Sequence, residues 1–101
     1  MKGNGQGEIK QEYAPVNIPI QVFCLIDTNG KINPLRFRYE TPDHQIETAH
    51  IEEIISRDEK RYVGIREKQF VCVIMMAGTT RTAEIRYHVD SQKWRIFRYL
   101  N

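Results

Sequence analysis

Apolar residues recur at every second position in several runs of this chain, and polar turn signals separate the runs. The first run covers residues 18–26 and ends at Asp27-Thr28-Asn29-Gly30. A period of two places successive side chains on opposite faces of a strand, and Asn-Gly is typical of hairpin turns. Residues 33–40 resume the alternation, with arginines on the polar side. The pattern therefore predicts a β-hairpin at residues 18–40.

The later part of the chain continues with strands of two kinds. Residues 69–77, QFVCVIMMA, are apolar at nearly every position, which predicts a central strand covered on both faces. Residues 83–89 alternate between apolar and polar types, and residues 94–99 resume an apolar pattern after a polar turn. Residues 56–60 are charged, and we interpret them as a loop that is followed by a turn at Gly64.

The segment at residues 45–56 fits two structures. Ile51, Ile54 and Ile55 follow the i, i+3, i+4 spacing of an amphipathic helix. Isoleucine favours a strand instead, and a strand here requires a bulge. We expect the strand and keep the helix as the alternative. One face of that strand would hold Glu47, Ala49, Ile51, Glu53 and Ile55.

The runs together predict an all-β fold of five to six strands, an antiparallel meander or partly open barrel of SH3-like type, because closure limits exposed strand edges. A chain of 101 residues is long enough for one domain. We expect residues 17–101 to form it and the polar, glycine-rich residues 1–16 to be a flexible tail. The predicted core residues are Val22, Cys24, Leu35, Phe37, Ile51, Val71, Val73, Ile85, Tyr87, Trp94 and Ile96.

Hydropathy and the cysteines indicate the environment of the protein. No stretch approaches the ~18 consecutive apolar residues that a membrane span needs, so we expect no membrane partner. Residues 1–7 lack the apolar run of a secretory signal, and we therefore expect a cytoplasmic protein. Cys24 and Cys72 each lie inside an apolar run, which predicts buried free thiols; a disulfide or a metal pair is the alternative.

Three segments carry a resemblance to other proteins: Ile-Asn-Pro-Leu-Arg-Phe-Arg-Tyr-Glu at residues 32–40, Ala-Glu-Ile-Arg-Tyr at 83–87 and Ser-Gln-Lys-Trp-Arg-Ile-Phe-Arg at 91–98. They are similar to small bacterial β-barrel proteins of unknown function. Those proteins combine a Pro-x-x-Phe-x-Trp/Tyr strand with an Ile- or Val-rich strand and a late strand that contains tryptophan. The resemblance covers residues 18–99 and implies a compact β barrel. It implies no activity and no site residue.

No motif in the sequence indicates catalysis or cofactor binding. The glycines at residues 3–7 precede no strand–helix unit, and no Gly-x-Ser-x-Gly sequence is present. His44, His50 and His88 have no metal-ligand spacing. The adjacent acids at residues 52–53 and 58–59 are expected to be solvated. We therefore predict that the protein is not an enzyme and uses no cofactor or metal.

Charge is divided unevenly along the chain. Residues 17–59 contain four Lys/Arg and eight Asp/Glu, whereas residues 60–101 contain nine Lys/Arg and three Asp/Glu. One interpretation is that acidic and basic strands lie side by side and neutralise each other. The other is that the basic half is a surface for nucleic acid or an acidic partner.

The last predicted strand supplies the candidate binding residues. Alternation places Trp94 and Ile96 on one face and Arg95, Phe97 and Tyr99 on the other, as an outward stripe of basic and aromatic side chains. Aromatic residues and arginine are enriched in protein interfaces. We therefore predict an interaction module that binds a protein partner or a second copy of itself. The candidate binding residues are Arg86, Arg95, Phe97 and Tyr99. The alternative is a barrel that binds single-stranded nucleic acid, where arginines contact phosphates and rings stack on bases.

Overall fold

Six antiparallel strands make up residues 14–101, the part of the chain that a computed structural model describes. They are β1 (Ile18–Ile26), β2 (Ile32–Glu40), β3 (Ile46–Tyr62), β4 (Ile65–Met76), β5 (Thr79–His88) and β6 (Lys93–Tyr99). Each strand is hydrogen-bonded to the next along the chain, and β1 also pairs with β6. This closure confirms the prediction of an all-β antiparallel barrel. No helix in residues 14–101 is long and apolar enough to cross a membrane.

The closing ladder between β1 and β6 is short. It pairs Ile18, Pro19 and Ile20 with residues 94–96, and β1 then continues for six residues without β6 beside it. Of the predicted flexible tail, residues 1–13 lie outside the described residues. Val16, which follows them, donates its backbone N–H to the carbonyl of Phe97 at 2.7 Å.

The core lies inside the barrel and draws on alternate residues of the strands. The fully enclosed apolar residues are Phe37, Tyr39, Ala49, Phe70, Cys72, Ile74, Ala83, Ile85 and Ile96. Three of the predicted core residues, Phe37, Ile85 and Ile96, are therefore confirmed as fully buried. Four others pack against this cluster in half-buried positions: Val22, Ile51, Tyr87 and Trp94.

Four predicted core residues lie elsewhere, and local strand geometry explains each one. Cys24 is exposed because β1 has already passed the end of its ladder with β6. Leu35 is exposed because it is the extra residue of a bulge between the pairs Phe23–Arg36 and Cys24–Pro34. Val71 and Val73 alternate with the buried residues of β4, so they lie half-buried on the outer face. The predictions for these positions were wrong; Cys72 is buried as expected.

Strand β3 explains the helix-like spacing of its isoleucines. Ile51 pairs with Ile74 and Ile54 pairs with Cys72, so the intervening Glu52 is the extra residue of a bulge. A second bulge, at Ile55, lies between the Ile54 and Ser56 pairs. Each bulge lengthens the interval between inward residues from two to three. The predicted strand is confirmed, but the predicted inward face is wrong beyond Ile51.

Residues 56–60 belong to β3 and do not form the predicted loop. Strands β3 and β4 remain paired as far as Tyr62 and Ile65, and Val63-Gly64 forms the turn. Both turn residues have positive φ, 49° for Val63 and 78° for Gly64, which is the conformation of a two-residue hairpin turn. Charged side chains on the two strands of this ribbon form ion pairs with each other. Lys68 Nζ, for example, lies 3.2 Å from Glu59 Oε1. The charges therefore belong to a solvated β ribbon.

Candidate functional site

Six side chains from three neighbouring strands meet on the outer face of the barrel, and we call them the Arg–Glu cluster. Ile85 and Ile96 are buried in the core, so the residues that flank them point outward. Strand β4 contributes one glutamate, β5 a glutamate and an arginine, and β6 two arginines and a phenylalanine. The members are Glu67, Glu84, Arg86, Arg95, Phe97 and Arg98.

Glu67 is the acceptor in one half of the cluster, and only 2% of it is exposed. Arg95 donates from Nη1 to Glu67 Oε2 at 2.7 Å. Arg86 Nη1 lies 3.4 Å from Oε1, and the Tyr62 hydroxyl donates to the same oxygen at 3.0 Å. The hydrogen bond from Arg95 holds the pKa of the Glu67 carboxyl below its ordinary value, against the opposing effect of burial.

Glu84 is the acceptor in the other half and is also buried, with 5% exposed. Arg86 donates from Nε to Glu84 Oε2 at 2.7 Å, and Arg98 donates from Nε to Oε1 at 2.9 Å. The guanidinium of Arg86 also lies 3.5 Å from the centroid of the Phe97 ring. Two carboxylates therefore offset most of the positive charge of three arginines, and one face of the ring is covered.

Three of the four predicted binding residues meet in this cluster, and the fourth does not. Arg86, Arg95 and Phe97 lie together, with the guanidinium groups of both arginines near the Phe97 ring. Ile85 pairs with Ile96 and Glu84 pairs with Arg98, so Phe97 is the extra residue of a bulge in β6. That bulge reverses the alternation and turns Tyr99 toward the core, where it packs against the buried cluster. The predicted outward position of Tyr99 is therefore wrong.

Tyr99 lies instead at the end of the barrel where β2 ends and β3 begins. Its hydroxyl donates to Met76 Sδ at 3.6 Å, and the Arg81 guanidinium lies 3.6 Å from its ring centroid. Burial raises the pKa of the Tyr99 phenol. Tyr99 and Met76, together with Tyr39 and Pro42, line an open, largely apolar concavity of about 580 Å³.

The opposite end of the barrel exposes a group of large apolar side chains that we call the β1–β2 tip. Its members are Phe23, Leu25, Ile26 and Leu35, with exposed fractions of 38%, 58%, 61% and 47%. Phe23 and Leu25 share the outer face of β1, and the bulge places Leu35 beside them on β2. The Arg36 guanidinium lies 4.5 Å from the centroid of the Phe23 ring.

A side-chain bridge anchors the base of the tip to β3. The β2–β3 ladder ends at the pair Arg36–His50, and the two strands then separate. Arg57 spans the gap and donates to the carbonyl of Ile32 at 2.6 Å and to Asn33 Oδ1 at 2.7 Å. This bridge links the start of β2 to β3 where the backbone ladder between them has ended.

The titratable groups of residues 14–101 are mostly solvated or engaged in hydrogen bonds and ion pairs. Carboxyl groups with a shifted pKa, among them Asp58 and Glu59, are all shifted downward by hydrogen bonds, whereas a general acid needs a raised pKa. His44 Nδ1 lies 2.7 Å from Glu40 Oε2, and His88 Nδ1 accepts a hydrogen bond from the backbone N–H of Ser91. Within residues 14–101, no group of three or more His, Cys, Asp or Glu side chains is placed to hold a metal ion.

The sequence contained a signal for the tip that alternation alone concealed. Residues 22–26, Val-Phe-Cys-Leu-Ile, are apolar on both faces of β1 although the strand lies at the margin of the barrel. The same signal at residues 69–77 indicates a strand covered on both faces, and the residues alone do not distinguish the two cases.

No protein-family model matches this chain, and no curated protein or solved structure is significantly similar to it. The resemblance to small bacterial β-barrel proteins and the SH3-like label therefore stay predictions.

Proposed function

We propose that this chain is a non-catalytic interaction module that binds a protein partner through the β1–β2 tip. The observation that carries the proposal is the exposure of Phe23, Leu25 and Leu35 as neighbours on the outer face of one hairpin, with Ile26 exposed on the other face of β1. Contiguous exposed apolar surface of this kind marks interaction sites on soluble proteins. Covering the exposed half of each side chain contributes about 1 kcal/mol to binding.

A second hairpin end also exposes apolar residues, but its surroundings differ. At the β3–β4 turn, Val63 and Ile65 are interleaved with charged residues such as Arg61 and Arg66. The five residues 22–26 carry no charge. A protein interface has an apolar centre and a polar rim, and the β1–β2 tip with Arg36 at its margin fits that arrangement better.

Binding of single-stranded nucleic acid has less support from the geometry. In the Arg–Glu cluster a phosphate would have to compete with the buried carboxylates of Glu67 and Glu84 for the same guanidinium groups. A base would have to displace Arg86 to reach the covered face of Phe97. The arginines of the predicted basic stripe are therefore already paired with carboxylates. Phosphate binding instead requires cationic side chains that are free to contact the ligand.

The proposal is tested by capture from a native lysate with the full chain as bait. The double variant Phe23→Ser/Leu25→Ser removes the centre of the tip. The matched control is Ile46→Ser, because Ile46 is as exposed as Leu25 but lies at the other end of β2 and β3. A protein retained by the native chain and by the control is identified by mass spectrometry, purified, and titrated against all three chains. We expect the double variant to bind this protein at least ~30-fold more weakly, because side chains at the centre of an interface contribute most of the binding free energy.

Equal affinity of the native chain and the double variant would overturn the proposal, provided that both give the same dispersed amide spectrum. Loss of binding in the Ile46→Ser control alone would place the interface at the other end of the barrel and would overturn it as well.

A further inference from the structure

Several strand edges lack a hydrogen-bonding neighbour within residues 14–101, among them the edge of β2 that faces β3 before Arg36. On β1 the edge that faces away from β2 is unpaired from Gln21 to Ile26, because the ladder with β6 stops at Ile20. On β3 the edge that faces β2 is unpaired beyond His50. Unpaired edges attract other strands, and proteins protect them with charges, bulges or covering groups.

The β3 edge has these protections, and the β1 edge does not. Bulges at Glu52 and Ile55 break the regular spacing of β3, and Arg57 fills part of the gap beside β2. Residues 22–26 are uncharged and contain no proline, and the bulge in this hairpin lies on β2 at Leu35. The β1 edge is therefore the straight, apolar edge that a further strand fits.

The same edge is complementary to itself when two copies run antiparallel. A two-fold axis through Cys24 places Phe23 opposite Leu25 of the partner subunit, so apolar side chains meet on the outer face. Asp27 lies at one end of the edge, and Arg38, which pairs with Gln21, lies at the other. Antiparallel pairing places Asp27 of each copy opposite Gln21 of the other, one strand away from Arg38, whereas parallel pairing places the two Asp27 carboxylates side by side.

We propose that β1 of one copy pairs antiparallel with β1 of a second copy, over residues 21–27 and with the two-fold axis at Cys24. The inference rests on the proposed function and names its partner as this chain itself. Pairing ends near Gln21 because Ile20 is already paired with Trp94. Such an interface is isologous and closes as a dimer, which leaves no free β1 edge for further addition.

The register is tested by cysteine cross-linking in the full chain. Residues directly opposite in an antiparallel pair have Cα atoms ~4.5–5.5 Å apart, which is within disulfide reach. Mild oxidation of the native chain should therefore give a covalent dimer that joins Cys24 to Cys24. In a Cys24→Ser background, Val22→Cys and Ile26→Cys chains should cross-link when mixed, because these positions face each other. Either chain alone should cross-link at least ~10-fold more slowly. In a dimer of two identical copies, the two introduced cysteines do not face each other and lie far apart on opposite sides of the axis.

Sedimentation equilibrium tests the association without a cross-link. The native chain and Cys24→Ser should form a reversible dimer, and Phe23→Lys should weaken it at least ~10-fold by placing charge at the interface centre. Ile46→Lys should dimerise like the native chain.

A native chain that stays monomeric up to ~1 mM, where even weak interfaces associate, would overturn the β1–β1 pairing. So would equal cross-linking of Val22→Cys alone and in the mixture. If the tip variant still loses a captured protein in that case, the proposed function stands with a different partner. If neither binding is seen, both proposals fail.

Discussion

Arg95 of β6 donates to Glu67 of β4 at 2.7 Å, across the intervening strand β5. These two strands share no backbone ladder, so the ion pair joins parts of the barrel that the sheet hydrogen bonds do not connect directly. Glu67 is nearly inaccessible, and a buried carboxylate is tolerated only when it is paired and hydrogen-bonded. The pair therefore cross-links β4 and β6 on the outer face of the barrel, beside the bulge at Phe97.

We expect Glu67→Gln to lower the free energy of unfolding by about 2 kcal/mol at neutral pH, because Arg95 and Arg86 lose the negative charge and one of the two acceptor oxygens with which they pair. The folded-state pKa of Glu67 is lowered, so its ionised form stabilises the fold above the unfolded-state pKa. That stabilisation is lost as the pH falls through the lower, folded-state value. Urea unfolding of both chains between pH 7 and pH 3 should show the difference shrinking below about pH 5.

Glu59→Gln is the control for this prediction. Glu59 also forms an ion pair, in its case with a lysine, but it lies on the solvated ribbon. Its effect should be much smaller than that of Glu67→Gln. A difference for Glu67→Gln that is absent, or that stays constant across this pH range, would contradict the assignment of Glu67 as a buried ion-pair acceptor.

The neutralised charge of the Arg–Glu cluster predicts weak binding of oligonucleotides. With a mixed-sequence single strand, the amide signals of Arg86 and of residues 95–99 should move neither at low salt nor at ~150 mM salt. Removing one carboxylate with Glu84→Gln should raise the affinity several-fold at low salt, since Arg86 and Arg98 lose an acceptor. Signals in the native chain that shift at low salt and return at higher salt would instead favour the nucleic-acid alternative.

The two cysteines should differ in reactivity. Cys24 is exposed, whereas burial raises the pKa of the Cys72 thiol to about 12. The thiolate is the reactive form, so iodoacetamide should modify one cysteine of the folded chain and both only in denaturant. Peptide mapping by mass spectrometry identifies the site, and the Cys24→Ser chain should remain unmodified while folded. Fast labelling of Cys72 in the folded chain would show that the centre of β4 opens.

The turn between β3 and β4 offers a stabilising substitution. Val63 has a φ of 49° and is almost wholly exposed, so a β-branched residue occupies a strained conformation with little burial in return. Val63→Asn supplies the residue type that tolerates this conformation before Gly64, and it should raise the free energy of unfolding by about 1 kcal/mol. Thermal unfolding measures the change. Val63→Ala removes the β-branching but lacks the polar side chain that lets Asn adopt this conformation, so it should give a smaller gain; an equal gain would contradict the role of the Asn side chain.

The strands were predictable where alternation was regular. The hairpins and the antiparallel order could be predicted from residues 18–26, 33–40 and 83–89. A half-buried strand must alternate apolar and polar residues, and these segments do so regularly. Prediction failed at the bulges. Glu52, Ile55 and Phe97 each shift the inward face by one residue, and no single residue type marks a bulge in advance.

The candidate site shows the same division. The shared outward face of Arg95 and Phe97 followed from alternation along β6, whereas the position of Arg86 beside Arg95 depends on the pairing of β5 with β6. The burial of Glu67 and Glu84 did not, because each carboxylate is covered by side chains that are 14 to 28 residues away, as Arg98 and Arg95 are.

By itself the sequence determined the strand type, the turn at Asn29-Gly30 and the apolar residues available for a core, because these depend on local periodicity and on backbone conformation. Only the tertiary structure decided which apolar runs are covered. Residues 22–26 and 69–77 look alike as sequence, yet β4 has a strand on each side and β1 runs past the end of β6. Burial depends on which strands lie alongside, and that is a property of the closed sheet.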